Sequence, residues 1–178
     1  MSVGLTPDKL FEGFLTDEEE VLCALLDGAS VPNLLERLHA EPALEAECLL
    51  RGTLEPDMKQ VAPYLVRLKP ESEFAEWVVA TGWGRHWGTF VTSRQGFRKL
   101  RNHLRQLTLI HRGDGTPLYF RYYDPRVLRV FLPTCSPAQL KQMFGPVDAF
   151  LAESEGGDAV NIYRVNGAAL SAAQRKVL

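Results

Sequence analysis

The chain has 178 residues, of which 46% are hydrophobic and 24% charged, an ordinary balance for one soluble globular domain rather than two. No run approaches the ~18 apolar residues that a membrane-spanning helix requires, and residues 1–14 carry neither a basic region nor a long apolar core, so no secretory signal is expected and the cytoplasm is the expected location. The formal net charge of −2 argues against nucleic acid, since a domain that binds phosphate backbones is usually net basic.

Taken in chain order, the polar opening ends in Asp17, Glu18, Glu19 and Glu20, four adjacent acids that mark a solvated arm or a helix start. Val21 to Leu26 is an unbroken apolar run stopped by Asp27-Gly28 and suits a buried strand. Leu34, Leu35 and Leu38 then recur at helical spacing; Pro32 suits a first helical turn and Pro42 helps to end the segment. Ala46 to Leu50 reads as a second strand, so the opening predicts a βαβ unit with a parallel pair.

Tyr64 to Leu68 is a third strand, broken by Pro70. Ser72 can cap a helix that carries Phe74, Trp77 and Val78 on one face, and Gly82 and Gly84 end it. Trp87 to Thr92 gives a fourth strand. A strongly amphipathic helix follows from about Gln95 to Leu107, with Phe97, Leu100, Leu104 and Leu107 on one side. Leu107 to His111 and Leu118 to Tyr123 flank the turn Gly113-Asp114-Gly115 and predict a hairpin. A short helix is expected after Asp124-Pro125 and another after Ser136-Pro137, the latter stopped by Gly145-Pro146. Val147 to Leu151 and Ala159 to Val165, separated by Gly156-Gly157, complete the strands. The expectation is a single-domain α/β fold, a mixed sheet with helices packed on it, over residues 21–166, with an acidic arm over 1–20 and a weakly helical or frayed tail over 167–178.

Charge is distributed unevenly. Residues 1–80 carry six Lys/Arg and sixteen Asp/Glu, whereas residues 81–132 carry ten and two. Within the basic block Arg94, Arg98, Arg101 and Arg105 are spaced to form one stripe of the amphipathic helix, opposite its apolar side. Either these arginines form a solvated face that pairs with the acidic half of the same chain, or they dock an acidic partner surface, a role that suits the planar guanidinium fork.

No phosphate loop, dinucleotide fingerprint, zinc-protease helix or nucleophile elbow is present. His39, His86, His103 and His111 lie far from ligand spacing, and Cys23, Cys48 and Cys135 form no CxxC pair, so neither a metal nor another cofactor is expected. Asp27 stands at the end of the first strand, where open α/β sheets place ligand crevices; the alternative is that Asp27-Gly28 simply opens the following loop. The most distinctive string is Phe120-Arg121-Tyr122-Tyr123-Asp124-Pro125-Arg126. Asp124 is a good N-cap and Pro125 a good first helical residue, giving a sharp strand-to-helix junction. Strand alternation would send Phe120 and Tyr122 to one face and Arg121 and Tyr123 to the other. Arg121 or Arg126 could brace the corner through Asp124, or Arg121, Tyr123 and Arg126 could contact a partner.

The strings Ala24-Leu25-Leu26-Asp27-Gly28-Ala29, Ala62-Pro63-Tyr64-Leu65-Val66, Trp87-Gly88, Arg98 to Arg105, Phe120 to Leu128 and Phe144-Gly145-Pro146-Val147, in this order, resemble the bacterial domain of unknown function 4123. The resemblance implies an adaptor of type VI secretion, a chaperone without catalytic residues that binds a cognate effector and helps mount it on the VgrG spike, often beside a PAAR tip. Two other classes stay open from the residues themselves: a small α/β enzyme using Asp27 with Tyr122 or Tyr123 at the sheet edge, and a nucleic-acid binder using the arginine stripe.

Overall fold

A computed structural model describes residues 5–16 and 18–177; Asp17 of the acidic run lies outside the described residues. Seven strands form one sheet in the order β2-β3-β1-β4-β7-β8-β9, where β1 is Val21–Asp27, β2 Ala46–Cys48, β3 Pro63–Arg67, β4 Gly88–Ser93, β7 Ala149–Glu153, β8 Ala159–Asn166 and β9 Ala169–Lys176. The remaining two, β5 (Leu109–His111) and β6 (Pro117–Tyr119), pair only with each other. The fold is α/β, as the alternation of apolar runs and helical stripes predicts.

The expected parallel pair does not form. Strand β3 inserts between β1 and β2, placing Leu25 opposite Leu65 and Glu47 opposite Leu65 on its other edge, and every pairing in the large sheet is antiparallel. The apolar run in β1 was a true signal of burial on both faces rather than of strand direction. Leu22, Ala24 and Leu26 point into one core and Val21, Cys23 and Leu25 into the other, the period of two that a pleated strand imposes.

The first core is covered by helices α1 (Pro7–Phe14), α2 (Leu34–Ala40) and α4 (Glu73–Gly82), the second by α5 (Phe97–Leu107), α6 (Pro125–Phe131) and α7 (Pro137–Phe144). The short helix α3 (Pro56–Val61) buries no residue. Caps lie where the sequence places them: Ser72 accepts from the Ala75 amide, Asp124 from the Arg126 amide, and Ser136 and Gln139 form a reciprocal box that satisfies otherwise orphaned donors. Pro32 is an exception, because Asn33, with φ of 56°, turns the chain before α2 begins at Leu34.

Residues 7–14 and 169–176 are both built into the domain. In place of an acidic arm, α1 is capped by Thr6 and buries Leu10, Phe11 and Phe14, and the Glu20 carboxylate is buried and accepts from the amide and hydroxyl of Thr16 at 2.7 and 2.9 Å. In place of a tail, β9 pairs with β8 from Ala159 opposite Lys176 to Asn166 opposite Ala169. The Arg175 guanidinium lies over the Phe14 ring at 5.0 Å and donates to the Gly13 carbonyl at 2.7 Å, tying the two segments together. Among the described residues no helix is long and apolar enough to cross a membrane.

Candidate partner-binding site

The string from Phe120 to Arg126 forms a corner, but not the one that strand alternation predicts. Strand β6 stops at Tyr119 and residues 121–124 turn, with the Asp124 amide donating to the Arg121 carbonyl at 3.0 Å. Tyr122 and Tyr123 are therefore both buried, instead of pointing to opposite faces. The Tyr122 hydroxyl donates to the Leu104 carbonyl at 2.8 Å, satisfying one of the free carbonyls at the end of α5. Aromatic rings chain through the corner, Phe131 to Phe120 at 4.7 Å, Phe120 to Tyr122 at 5.8 Å and Tyr122 to Tyr123 at 5.6 Å.

Asp27 is the hub of the corner. It is 1% exposed and its carboxylate accepts from Arg121, from the Ser30 hydroxyl at 2.9 Å and from the Ala29 amide at 3.1 Å. One side chain thus joins the end of β1, the loop after it and a segment distant in sequence. The loop is held close: the Gly28 amide donates to the Ala62 carbonyl at 3.1 Å, and a Cβ at Gly28 would overlap that oxygen. Next to it Asp124 caps α6 and binds Arg126 through two further bonds, at 3.0 and 2.7 Å. Burial raises the carboxyl pKa of Asp124 but the Arg126 bonds outweigh it, so the net shift is downward. Burial pushes the Tyr123 phenol up to about 12, with the Asp27 charge adding and Arg121 opposing. The bond to Asp27 holds the Arg121 guanidinium above its ordinary value.

A family model described as a domain of unknown function (DUF4123) matches residues 22–142. The chain belongs to that family. No curated protein and no solved structure matches it. The DUF4123 segment runs from β1 into α7 and contains the whole Asp27–Arg121–Asp124 corner.

The arginine stripe within this segment divides. Arg94 precedes α5, so it is not a member of the helical face; its amide donates to Asp148 at 2.7 Å and its guanidinium to the Thr16 hydroxyl at 2.9 Å. Arg105 donates to the Cys48 carbonyl at 2.6 and 3.0 Å, covering the free edge of β2, a common way to blunt an exposed strand. Arg101 and Arg105 both reach Glu47, at 3.2 and 3.5 Å. Arg98 makes no hydrogen bond or ion pair among the described residues. Pairing with the acidic half of the chain therefore accounts for Arg101 and Arg105.

The groups suggested for a sheet-edge active site are enclosed. Asp27 and Tyr122 lie within the bonds described, and a cavity of ≈ 450 Å³ beside the loop is lined by Gly28, Ser30, Asn33, Glu36 and Gln60, without Asp27 on its wall. Burial raises the pKa of all three cysteine thiols. Among the described residues no group of three or more His, Cys, Asp and Glu side chains is placed to hold a metal ion.

Sequence reasoning missed two features. Glu153 is a buried acid in an otherwise apolar strand; it accepts from the Gly84 and His86 amides at 2.6 and 3.1 Å and pairs with the His86 ring, fixing the loop from α4 to β4. Its position gave no signal, because Glu153 ends the apolar run and is followed by Ser154, Glu155 and two glycines, so it reads as part of a polar turn. The second is the hairpin β5–β6, which exposes Leu109, Ile110 and Tyr119. Its turn was legible, but exposure of its apolar residues was not, because a hydrophobic pattern does not say which face meets solvent.

Proposed function

We propose that this chain is a non-catalytic adaptor of type VI secretion, which binds a cognate effector in the cytoplasm and assists its loading onto the VgrG spike, alone or with a PAAR tip. The observation that carries the reading is the ordered set of DUF4123 strings and where they fall in the fold. The string richest in Arg and Tyr braces a corner, with Asp27, Tyr122 and Asp124 engaged by named partners. Such residues serve a protein whose output is a rigid exterior, since a surface held in one conformation loses less entropy on binding. The basic block and the exposed apolar side chains of the hairpin supply that exterior with contact chemistry.

The test is co-expression with the effector, spike and PAAR proteins of the same secretion system. A stoichiometric complex that survives size-exclusion chromatography is the expected result. Failure to bind any of them, or turnover of a small molecule by the purified chain, would overturn the proposal.

A further inference from the structure

Hairpin β5–β6 stands apart from the main sheet and exposes apolar side chains from both of its strands. Leu109 is 43%, Ile110 44% and Tyr119 63% exposed. Leu109 and Tyr119 are directly opposed across the hairpin, so their side chains share a face. That face continues into a depression of ≈ 350 Å³ walled by Leu50, Arg51, Arg105, Leu109 and Tyr119. A two-stranded ribbon with two open edges is marginal by itself in water, and apolar side chains gathered on such a ribbon beside a cavity mark a contact surface.

The electrostatics beside this face are one-sided. Arg51, Arg98, Arg101 and Arg105 lie on the wall of the depression or along the adjoining outer side of α5. Glu47 is the acid in contact with them, and Arg101 and Arg105 already share it. Arg51 and Arg98 make no hydrogen bond or ion pair among the described residues. At the tip of the hairpin Asp114 accepts from the Thr116 amide at 2.9 Å and serves the turn. The surface thus presents an apolar seat flanked by arginines with donors to spare.

We propose that the hairpin and the outer side of α5 dock an acidic segment of a partner protein, which seats one bulky apolar side chain between Leu50, Leu109 and Tyr119 and sets carboxylates on Arg51 and Arg98. Charge complementarity selects this occupant: bidentate guanidinium–carboxylate bonds match the free arginines, and an exposed Tyr beside Arg is a favoured anchor pair. That the partner is an effector or spike protein rests on the adaptor reading above; the surface and its chemistry do not.

Two arms test the proposal. In the first, random peptides displayed on phage are selected on the full chain and the winners are synthesised. Enrichment in Asp and Glu around an aliphatic or aromatic residue is expected, with affinity that falls as salt rises. Tyr119→Ser and Arg51→Glu should each weaken binding by about tenfold or more, with unchanged thermal unfolding midpoints and with Arg164→Glu as a neutral control. Peptides without acidic bias, or affinities unmoved by both substitutions, overturn the proposal. So does a dimer of the wild-type chain, or binding to single- or double-stranded DNA, that either substitution abolishes. In the second arm the same variants are co-expressed with the secretion proteins. Capture by wild type that the variants lose supports the surface. Equal capture by the variants overturns the surface and leaves the adaptor reading standing. No capture by wild type overturns the adaptor reading and leaves the surface to be decided by the peptides.

Discussion

Arginine is engaged in opposite ways in two regions of this molecule. At the Asp27–Arg121–Asp124 corner, guanidinium groups engage carboxylates that are almost fully buried, although the arginines themselves are half in solvent. At the hairpin and the outer side of α5, Arg51 and Arg98 have no such partner among the described residues, and Arg51 shares the wall of a depression with the exposed Leu109 and Tyr119. The difference teaches that abundance of Arg and Tyr does not locate a binding surface. A carboxylate such as Asp27 needs a cation and hydrogen-bond donors to tolerate burial, so the arginines nearest buried acids are committed to the fold.

That contrast can be broken or sharpened by substitution. The largest effect is expected for Asp27→Ala, which leaves Arg121, the Ser30 hydroxyl and the Ala29 amide without their acceptor. Breaking a fully buried pair costs about 3–5 kcal/mol; here the exposed half of Arg121 can rehydrate, so about 2–3 kcal/mol is expected from urea unfolding. Asp124→Ala removes both a helix cap and the Arg126 pair and should destabilise by about 2 kcal/mol, with Asp124→Asn recovering part of that because Asn also caps. Tyr122→Phe deletes one buried hydroxyl and orphans the Leu104 carbonyl, for a loss of about 1 kcal/mol.

Two pH effects follow from the same corner, and their signs differ. The Asp124 carboxyl is held below its ordinary value of 3.8, so its contribution to stability is complete above pH 3.8 and is lost as pH falls through the lower folded-state value. Tyr123 is raised from 10.0 to about 12, so its contribution is complete below pH 10 and is lost as pH rises toward 12. Unfolding midpoints measured across both ranges should show an acid decline weakened by Asp124→Asn and an alkaline decline weakened by Tyr123→Phe. At the hairpin, by contrast, Tyr119→Ser and Ile110→Ser should change stability by no more than about 0.5 kcal/mol. A larger loss there would mean that the hairpin is structural, and the contrast between the two regions would fail.

Much of the fold was legible before its coordinates. Ser72, Asp124 and Ser136 cap helices where their side chains can reach free amides, and Phe97, Leu100, Leu104 and Leu107 face the core as their spacing requires. These are local properties, set within a turn or two of chain. The corner was half legible. Asp124-Pro125 announced the start of α6, but the end of β6 at Tyr119 did not show, because Phe120 to Tyr123 are residue types that suit a strand, whereas residues 121–124 turn with the Asp124 amide on the Arg121 carbonyl. The terminal strand β9 was hidden for a different reason. Its sequence is rich in Ala and polar residues and nearly all of it is exposed, so pairing with β8 holds it where a buried apolar face does not.

What the sequence determined by itself is the set of apolar strands and amphipathic helices, together with their caps and which of their runs are buried, since these depend on side-chain period and nearby backbone donors; α1, α3 and β9 lay beyond it. What only the tertiary structure decided is the antiparallel order with β3 beside β1, the marriage of Asp27 to Arg121, and the division of the arginines into those that brace the fold and those, such as Arg51 and Arg98, that bond to no described residue. Those outcomes depend on which distant groups meet, and a charge cannot be assigned to a fold or to a partner until the burial of its nearest opposite charge is known.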